Sequence, residues 1–288
     1  MKLVTDRTTI SKIVKQHRQN HETIGFVPTM GYLHEGHLAL VEKAKEQNDI
    51  VIMSIFVNPT QFGPNEDFDS YPRDLAHDQR LAEAAGVDYI FAPSVEEMYP
   101  NKMNNQITVV ERAGVLCGRS RPGHFDGVVT ILLKLFSLIM PERAYFGKKD
   151  AQQIAVIDGL VQDFFLPIQI IAVETNRELD GLAKSSRNVF LSDSERVEAK
   201  ELYISLTKAK TAITSGEKSK KRIIEMVIDH LQLNTSGEID YVEIYSYPSL
   251  KAIDVIEGKV IIAIAVKFSK ARLIDNLILD VRQTTQKK

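Results

Sequence analysis

The chain has 288 residues, 44% of them hydrophobic and 26% charged, with a net charge of −2 and one cysteine, Cys117. This is the composition of an ordinary soluble globular protein, long enough for one large domain or two. It lacks the basic footprint of a nucleic-acid binder. A single cysteine excludes an internal disulfide framework and fits a reducing compartment, so a cytoplasmic location is expected.

Met1-Lys-Leu-Val-Thr-Asp6 has no apolar core of a signal peptide, and none is expected. No run approaches the ~18 apolar residues of a membrane span. The longest, 128–140, is broken by Lys134 and reads as a buried helix. Lys287-Lys288 is too short to change the charge reading.

An apolar run at 23–28 reads as a buried strand. Gly31 and Gly36 allow a turn, and 38–47 reads as an amphipathic helix with His34 and His37 on one side of its first turn. Free backbone N–H groups and partial positive charge make a helix start suited to phosphates. Read alone, the histidines are equally well polar surface residues. Their spacing is not that of an H-E-x-x-H zinc helix, and no third ligand stands out.

A strand at 50–57 runs into Asn58-Pro59-Thr60-Gln61-Phe62-Gly63-Pro64. The amides of Asn58 and Gln61 suit a substrate bearing hydroxyls and a carboxylate. Taken alone, the segment reads first as a turn. A helix at 75–85 and a strand at 89–92 follow. Ser94 and Glu97 fit a capping box for one more short helix. Arg119, Arg121, His124 and Asp126 lie in a polar loop before the helix at 125–140. The arginines can meet an anion or face solvent, and Asp126 can cap the helix. Cys117 has no local signature and reads as incidental.

A strand at 143–146 ends at Gly147-Lys148-Lys149-Asp150, and a helix follows at 151–164. The glycine lets backbone approach a phosphate and a lysine neutralises it. Asp150 can accept ribose hydroxyls, with helix capping as its default. After a strand at 168–173 comes Lys184-Ser185-Ser186-Arg187-Asn188, either a clamp for polyphosphate or a solvated linker. Alternation of strand and helix argues for an α/β domain with a parallel sheet, whose ligands bind at the carboxyl ends of the strands. Beyond it, a helix capped by Ser192 and Glu195 is expected to run to about 214, where Ser215-Gly216 ends it. A second helix follows near 218–231, then strands near 241–245, 260–266 and 277–281. This pattern suggests a smaller C-terminal α+β domain. The expected division is 1–177 and 178–288.

The order and spacing of these motifs resemble the pantothenate synthetase family, the pantoate–β-alanine ligases. The likeness runs from Thr23 to Asn188 and continues weakly to Phe268-Ser-Lys-Ala-Arg272-Leu-Ile-Asp275-Asn276. The His34–His37 segment resembles the HIGH motif of the wider nucleotidyltransferase superfamily, and Lys184–Arg187 its KMSKS counterpart. The resemblance implies a Rossmann-like ATP domain, a lid domain, a homodimer and ligation through pantoyl adenylate, in the pathway to coenzyme A. It implies pantoate, β-alanine and ATP with Mg2+ as small-molecule partners, with neither nucleic acid nor membrane. It assigns ATP contacts to Met30, Gly31, Tyr32, Leu33, His34, Glu35, Gly36 and His37, with His37 as the catalytic proton donor. Gly147, Lys148, Lys149, Asp150, Asn176, Lys184, Ser185, Ser186 and Arg187 match further ATP-contacting positions. Gln61 matches the glutamine shared by pantoate and β-alanine, and Gln153 the second pantoate glutamine. Two positions depart from the family pattern: Asn176 stands where Val is usual, and Lys184 where a hydrophobic residue, often Met, is usual. Asp74 and Asp78 are candidate acidic partners for Mg2+, but no metal ligand is assigned.

The alternatives are another enzyme of the superfamily and a non-catalytic nucleotide sensor. Near-neutral charge argues against a tRNA synthetase fragment. The paired glutamines and the Asn58-Pro59 loop argue against a cytidylyltransferase, and polar residues in every motif argue against a sensor.

Overall fold

The computed structural model describes residues 1–64 and 66–281. The basic pair Lys287-Lys288 lies outside the described residues. In chain order the elements are β1 (Lys2–Val4), α1 (Arg7–Gln19), β2 (Ile24–Thr29), α2 (Glu35–Gln47), β3 (Ile50–Ile55), α3 (Leu75–Ala84), β4 (Tyr89–Phe91), α4 (Val95–Met98), α5 (Leu116–Ser120), α6 (His124–Ile139), β5 (Arg143–Gly147), α7 (Ala151–Asp163) and β6 (Gln169–Val173). There follow α8 (Asp193–Glu198), α9 (Glu201–Thr214), α10 (Lys220–Asn234), β7 (Glu238–Ser246), β8 (Gly258–Lys267) and β9 (Arg272–Val281).

The first six strands form one parallel sheet in the order β1-β4-β3-β2-β5-β6. Apolar clusters cover both faces. Phe26, Ile52 and Phe91 point toward α1 and α6, while Val27, Val51 and Met53 point toward α2 and α3. Strand order reverses between β2 and β5, and in such sheets the crevice beyond the strand ends at that point takes the ligand. Register aligns the exits. Thr29 pairs with Ile55 and Gly147 with Val173, so four loops leave the sheet at one level.

The second sheet is antiparallel, β7-β8-β9, backed by α9 and α10. An apolar seam joins it to the first unit: Leu116, Cys117, Ala151 and Ala155 pack with Tyr241, Ile261 and Ala263.

Four local expectations need correction. The strand β1 and helix α1 were not anticipated. Asp6 caps α1 by accepting from Thr9 N at 2.8 Å, but only Ile10 and Val14 of that helix are buried, so its apolar stripe is thin. Ser94 accepts from Glu97 N, yet the Glu97 carboxylate turns to Arg7 instead of completing the box. Gly123, not Asp126, occupies the cap of α6; Asp126 accepts from Val109 N at 2.8 Å. The helix expected from 192 to 214 is two, α8 and α9. The Ser192–Glu195 box forms as read, but the second Glu195 oxygen accepts from Ser269 N and ties the short α8 to the loop before β9.

Among the described residues no helix is long and apolar enough to cross a membrane.

Candidate functional site

The turn after β2 is built by backbone strain and one buried carboxylate. Gly31 and Tyr32 both adopt positive φ, at 86° and 51°. Asp78, 1% exposed, accepts from Tyr32 N at 2.9 Å and Leu33 N at 2.7 Å. Burial pushes its carboxyl up and the two N–H groups oppose that. Asp78 is thus a clamp on the loop, and Asp74 caps α3 by accepting from His77 N at 2.9 Å. Neither carboxylate lines the cavity described below. Among the described residues no group of three or more His, Cys, Asp or Glu is arranged to hold a metal.

His34 is the residue before α2, with extended backbone, and His37 is third in the helix. Each closes a hydrogen bond normally made by Ser and Glu. His34 Nδ1 accepts from Gly36 N at 3.1 Å, and His37 Nδ1 accepts from His34 N at 3.3 Å. Nδ1 being the acceptor in both rings, the proton of each neutral imidazole is assigned to Nε2. The rings lie 4.2 Å apart. Loss of solvent, reinforced by the Lys149 cation, pushes His34 down to about 4; loss of solvent, with His34 and then Lys149, pushes His37 down to about 3. Both rings are therefore neutral donors at physiological pH.

After β3, Asn58, Pro59, Thr60 and Gln61 form a short 3-10 turn. Asn58 is 1% exposed and engaged throughout. It donates to Gly127 O at 3.1 Å and Gln61 Oε1 at 3.2 Å, and accepts from Tyr99 OH at 2.8 Å. Its amide builds the turn and is not offered to a substrate. Gly127 permits the arrangement: a Cβ there would stand 2.3 Å from Thr60 O and 2.7 Å from Gln61 Cα. Gln61 keeps its Nε2 near the cavity, 3.0 Å from the weak acceptor Met30 Sδ.

At the exit of β5, Asn276 from β9 donates to Lys148 O at 3.0 Å and Lys149 O at 2.8 Å, fixing the turn from the other domain. Lys148 pairs with Glu174. Asp150 makes no capping bond to α7. Gln152 is buried and donates to Arg112 O and Val115 O, while Gln153 faces the cavity.

Residues 176–184 form a small hairpin, with Lys184 N donating to Asn176 O at 3.0 Å. Lys184 neither reaches free solvent nor stands unpaired: its Nζ lies 2.9 Å from Glu35 and 3.6 Å from Glu178. Ser185 caps the turn that carries Ser186 and Arg187. Ser186 Oγ meets Tyr71 OH at 3.2 Å, and Arg187 pairs with Asp67 at 2.8 Å.

These segments surround a cavity of about 250 Å³ beyond the ends of β2 and β5. Met30, His34, Gly36 and His37 line one wall, Gly147, Lys149, Asp150 and Gln153 another. Gln61 forms part of the floor, and Asn176 with Lys184, Ser185, Ser186 and Arg187 the far side. Five of the residues that the family resemblance assigned to ATP do not line it. Gly31, Tyr32 and Leu33 shape the loop behind it, Glu35 holds Lys184, and Lys148 points to Glu174. Arg121 and His124 do line it, though the sequence left the arginines' role open and only their neighbourhood hinted at a ligand. A second cavity of about 390 Å³, between the two sheets, shares Arg121, His124, Lys149, Asp150, Gln153 and Arg187 with the first.

The sequence profile described as pantoate-beta-alanine ligase matches residues 2–278. A pantothenate synthetase from Geobacillus sp. (strain WCH70) is 62% identical over 269 residues, 93% of this chain and 95% of that one. The crystal structure of pantothenate synthetase from Thermus thermophilus superposes with a TM-score of 0.92 at 41% identity, covering 98% of this chain and 100% of that one. A pantoate-beta-alanine ligase from Francisella tularensis, complexed with beta-gamma ATP and beta-alanine, gives a TM-score of 0.79 at 35% identity over 96% of this chain and 97% of its own. With the motifs converging on one cavity and the whole chain matched, the protein belongs to the pantoate-beta-alanine ligase family.

Proposed function

We propose that the chain condenses pantoate with β-alanine at the expense of ATP, through a pantoyl-adenylate intermediate, to give pantothenate. In the first step a pantoate carboxylate oxygen attacks the α-phosphorus, the bond from that phosphorus to the bridging oxygen breaks, and pyrophosphate leaves. In the second the β-alanine amine attacks the acyl carbonyl, the bond to the AMP oxygen breaks, and the amine gives up a proton. The observation that carries this reading is the pair of imidazole N–H donors and the cations converging on a cavity that also holds two glutamine amides. Such chemistry needs positioning and charge stabilisation more than a protein nucleophile. The ATP held by the Francisella relative supports the nucleotide.

In this reading the segment Met30–His37 takes ATP, with His37 Nε2–H donating to charge that develops on the phosphates. Lys149, Asp150, Asn176, Lys184, Ser185, Ser186 and Arg187 take the rest of the nucleotide. Gly31, Tyr32, Leu33, Glu35, Gly147 and Lys148 act through the shape and charge of their turns. Gln61 and Gln153 grip pantoate, and Gln61 also meets β-alanine. Mg2+ enters with the ATP phosphates. The division into 1–177 and 178–288 belongs to the proposal, with 178–188 as a lid that keeps water from the adenylate. So do the homodimer and the cytoplasmic location.

The test is β-alanine-dependent release of AMP. Purified protein given pantoate, β-alanine and Mg-ATP should form AMP and pyrophosphate in equal amounts. ADP and phosphate as products would rule out adenylation.

A further inference from the structure

Two arginines of the cavity are gripped in the same way by consecutive residues. Glu66 accepts from Arg121 Nε at 2.8 Å and Arg121 Nη2 at 2.5 Å. Asp67 accepts from Arg187 Nε at 2.8 Å and Arg187 Nη2 at 3.1 Å. Both carboxylates thus take the same edge of a guanidinium in the two-point geometry that fixes its plane. Partial burial works to raise both carboxyls, but the arginines outweigh it and hold each below its ordinary range. Tyr71, on the same loop, adds a hydrogen bond to Ser186 and sets its ring 5.6 Å from the Arg187 guanidinium.

The remaining edge of each arginine leads elsewhere. Arg121 Nη1 lies 3.0 Å from His124 Nε2, His124 Nδ1 lies 2.8 Å from the carbonyl oxygen of Gln61, and Arg121 Nη2 also donates to that oxygen at 3.4 Å. A guanidinium only donates, so His124 Nε2 is the acceptor and Nδ1–H the donor to Gln61. An unbroken chain therefore runs from Glu66 through Arg121 and His124 to the backbone of Gln61. Arg187, by contrast, has Nη1 unpaired among the described residues, and its side chain lines the cavity.

We propose that Glu66 and Asp67 are positioning residues for two different parts of the site. Glu66 sets Gln61 through Arg121 and His124, and Asp67 sets Arg187. The inference rests on the assignment of Gln61 to pantoate and Arg187 to the nucleotide. Its physical basis is that a displacement near 1 Å at a positioning group costs on the order of a hundredfold in rate. Fixing a long side chain before the ligand arrives also removes an ordering cost from binding.

Glu66→Gln and Asp67→Asn keep shape and remove charge. Glu66→Gln should raise the pantoate KM about tenfold and leave the ATP KM within about twofold, an effect typical of contacting residues. Asp67→Asn should do the reverse. Added to Gln61→Ala, Glu66→Gln should change the pantoate KM no further, since it acts only through Gln61. Glu66→Asp, which keeps the charge at shorter reach, should show a smaller loss of the same kind, and it stands in if the glutamine variant fails to fold. Equal rises in both KM values, or additive effects with Gln61→Ala, would overturn the proposal. If Gln61→Ala itself left the pantoate KM unchanged, the substrate assignment would fall instead. An independent readout remains in that case: the His124 Nδ1–H proton resonance should be protected from exchange in the parent protein and lose protection in Glu66→Gln. Unaltered protection would sink the positioning role whatever Gln61 binds.

Discussion

The role given to His37 makes the sharpest demand on the structure. His37→Ala removes two things that can be separated. One is the Nε2–H donor, and removal of a single preorganised donor at developing charge costs about 10²- to 10³-fold in turnover. The other is the Nδ1 acceptor for His34 N, which is half of the cap on α2. Loss of a cap costs about 0.5–2 kcal/mol. At 3.3 Å this bond is long, so the low end applies, a fall in Tm of about 1 °C for a chain of this size. His37→Gln should restore the cap, because a glutamine at this helix position accepts from the same N–H. It should therefore melt like the parent and show an intermediate turnover. The assay is steady-state AMP release at saturating substrates, with thermal unfolding in parallel. His37 is held down at about 3, so it stays neutral and its contribution to kcat should be flat between about pH 6 and 8. If His37→Ala kept its turnover and only the ATP KM rose, the residue would be a ground-state binder. If the profile showed an inflection near 6.5 that vanished in His37→Gln, the neutral-donor argument would be wrong.

Gln61→Ala and Gln153→Ala should each raise the pantoate KM well above any effect on ATP; equal effects on both substrates would argue against the division of labour. Lys184→Met should be mild, under about 1 kcal/mol, because its partner Glu35 is 63% exposed; hydrogen exchange over 178–188 should slow on saturation with an ATP analogue plus pantoate, and unchanged protection would remove the lid. Arg177→Ala should destabilise by about 3–5 kcal/mol, because it strands the Asp275 carboxylate, whose side chain is 2% exposed and held bidentately at 2.6 and 2.9 Å. A fall in Tm of only a degree or two would show that this carboxylate finds other partners. Acid should weaken the fold through His34, His37 and His124, held down at about 4, 3 and 4. A histidine with a depressed folded value stabilises fully above its unfolded value near 6.5, and that stability is lost as pH falls toward the folded value. Thermal melts from pH 7 to 4.5 should therefore drop steadily, and a flat curve would contradict the three shifts.

The strand–turn–helix rhythm of the first sheet was legible because each signal is local: a β-branched run, a glycine turn, an amphipathic helix. The second sheet was legible in outline for the same reason. What sequence could not supply were roles fixed by contacts across the chain. Asp78 clamps a loop some 45 residues before it, Asn276 fixes the turn at Lys148 from another sheet, and Asp67 takes Arg187 across the cavity. The histidine capping box escaped for a different reason. Its spacing is that of Ser-x-x-Glu, but imidazoles are not the expected capping groups, so the pair read as part of a phosphate site or as surface polar residues. Asn58 illustrates the converse error. Its amide looked available for a substrate, and the fold consumes every part of it in holding the turn against Gly127.

The cations of the cavity are each paired with a carboxylate, which decides how a nucleotide would meet them. Lys184 stands against Glu35 at 2.9 Å, Arg187 against Asp67 at 2.8 Å, and Lys149 is 3.6 Å from Asp150. The cavity's own charges are close to balance, so a triphosphate does not relieve a repulsion; it competes for donors. The two ends of the Lys184–Arg187 segment differ in that competition. The Lys184 pair faces an exposed glutamate, in high dielectric, and exchanges cheaply. The Arg187 pair is bidentate, with both side chains mostly covered, and its Nη1 can serve a ligand without breaking it. A lid that moved as a rigid whole would have to sever the Asp67 pair as well. A lid that turns about Arg187 keeps the Asp67 pair and gives up the contact between Lys184 and Glu35, a residue in the first turn of α2. In the proposed reading, closure by this route would hand Lys184 from that carboxylate to a phosphate, while Arg187 stays where Asp67 holds it.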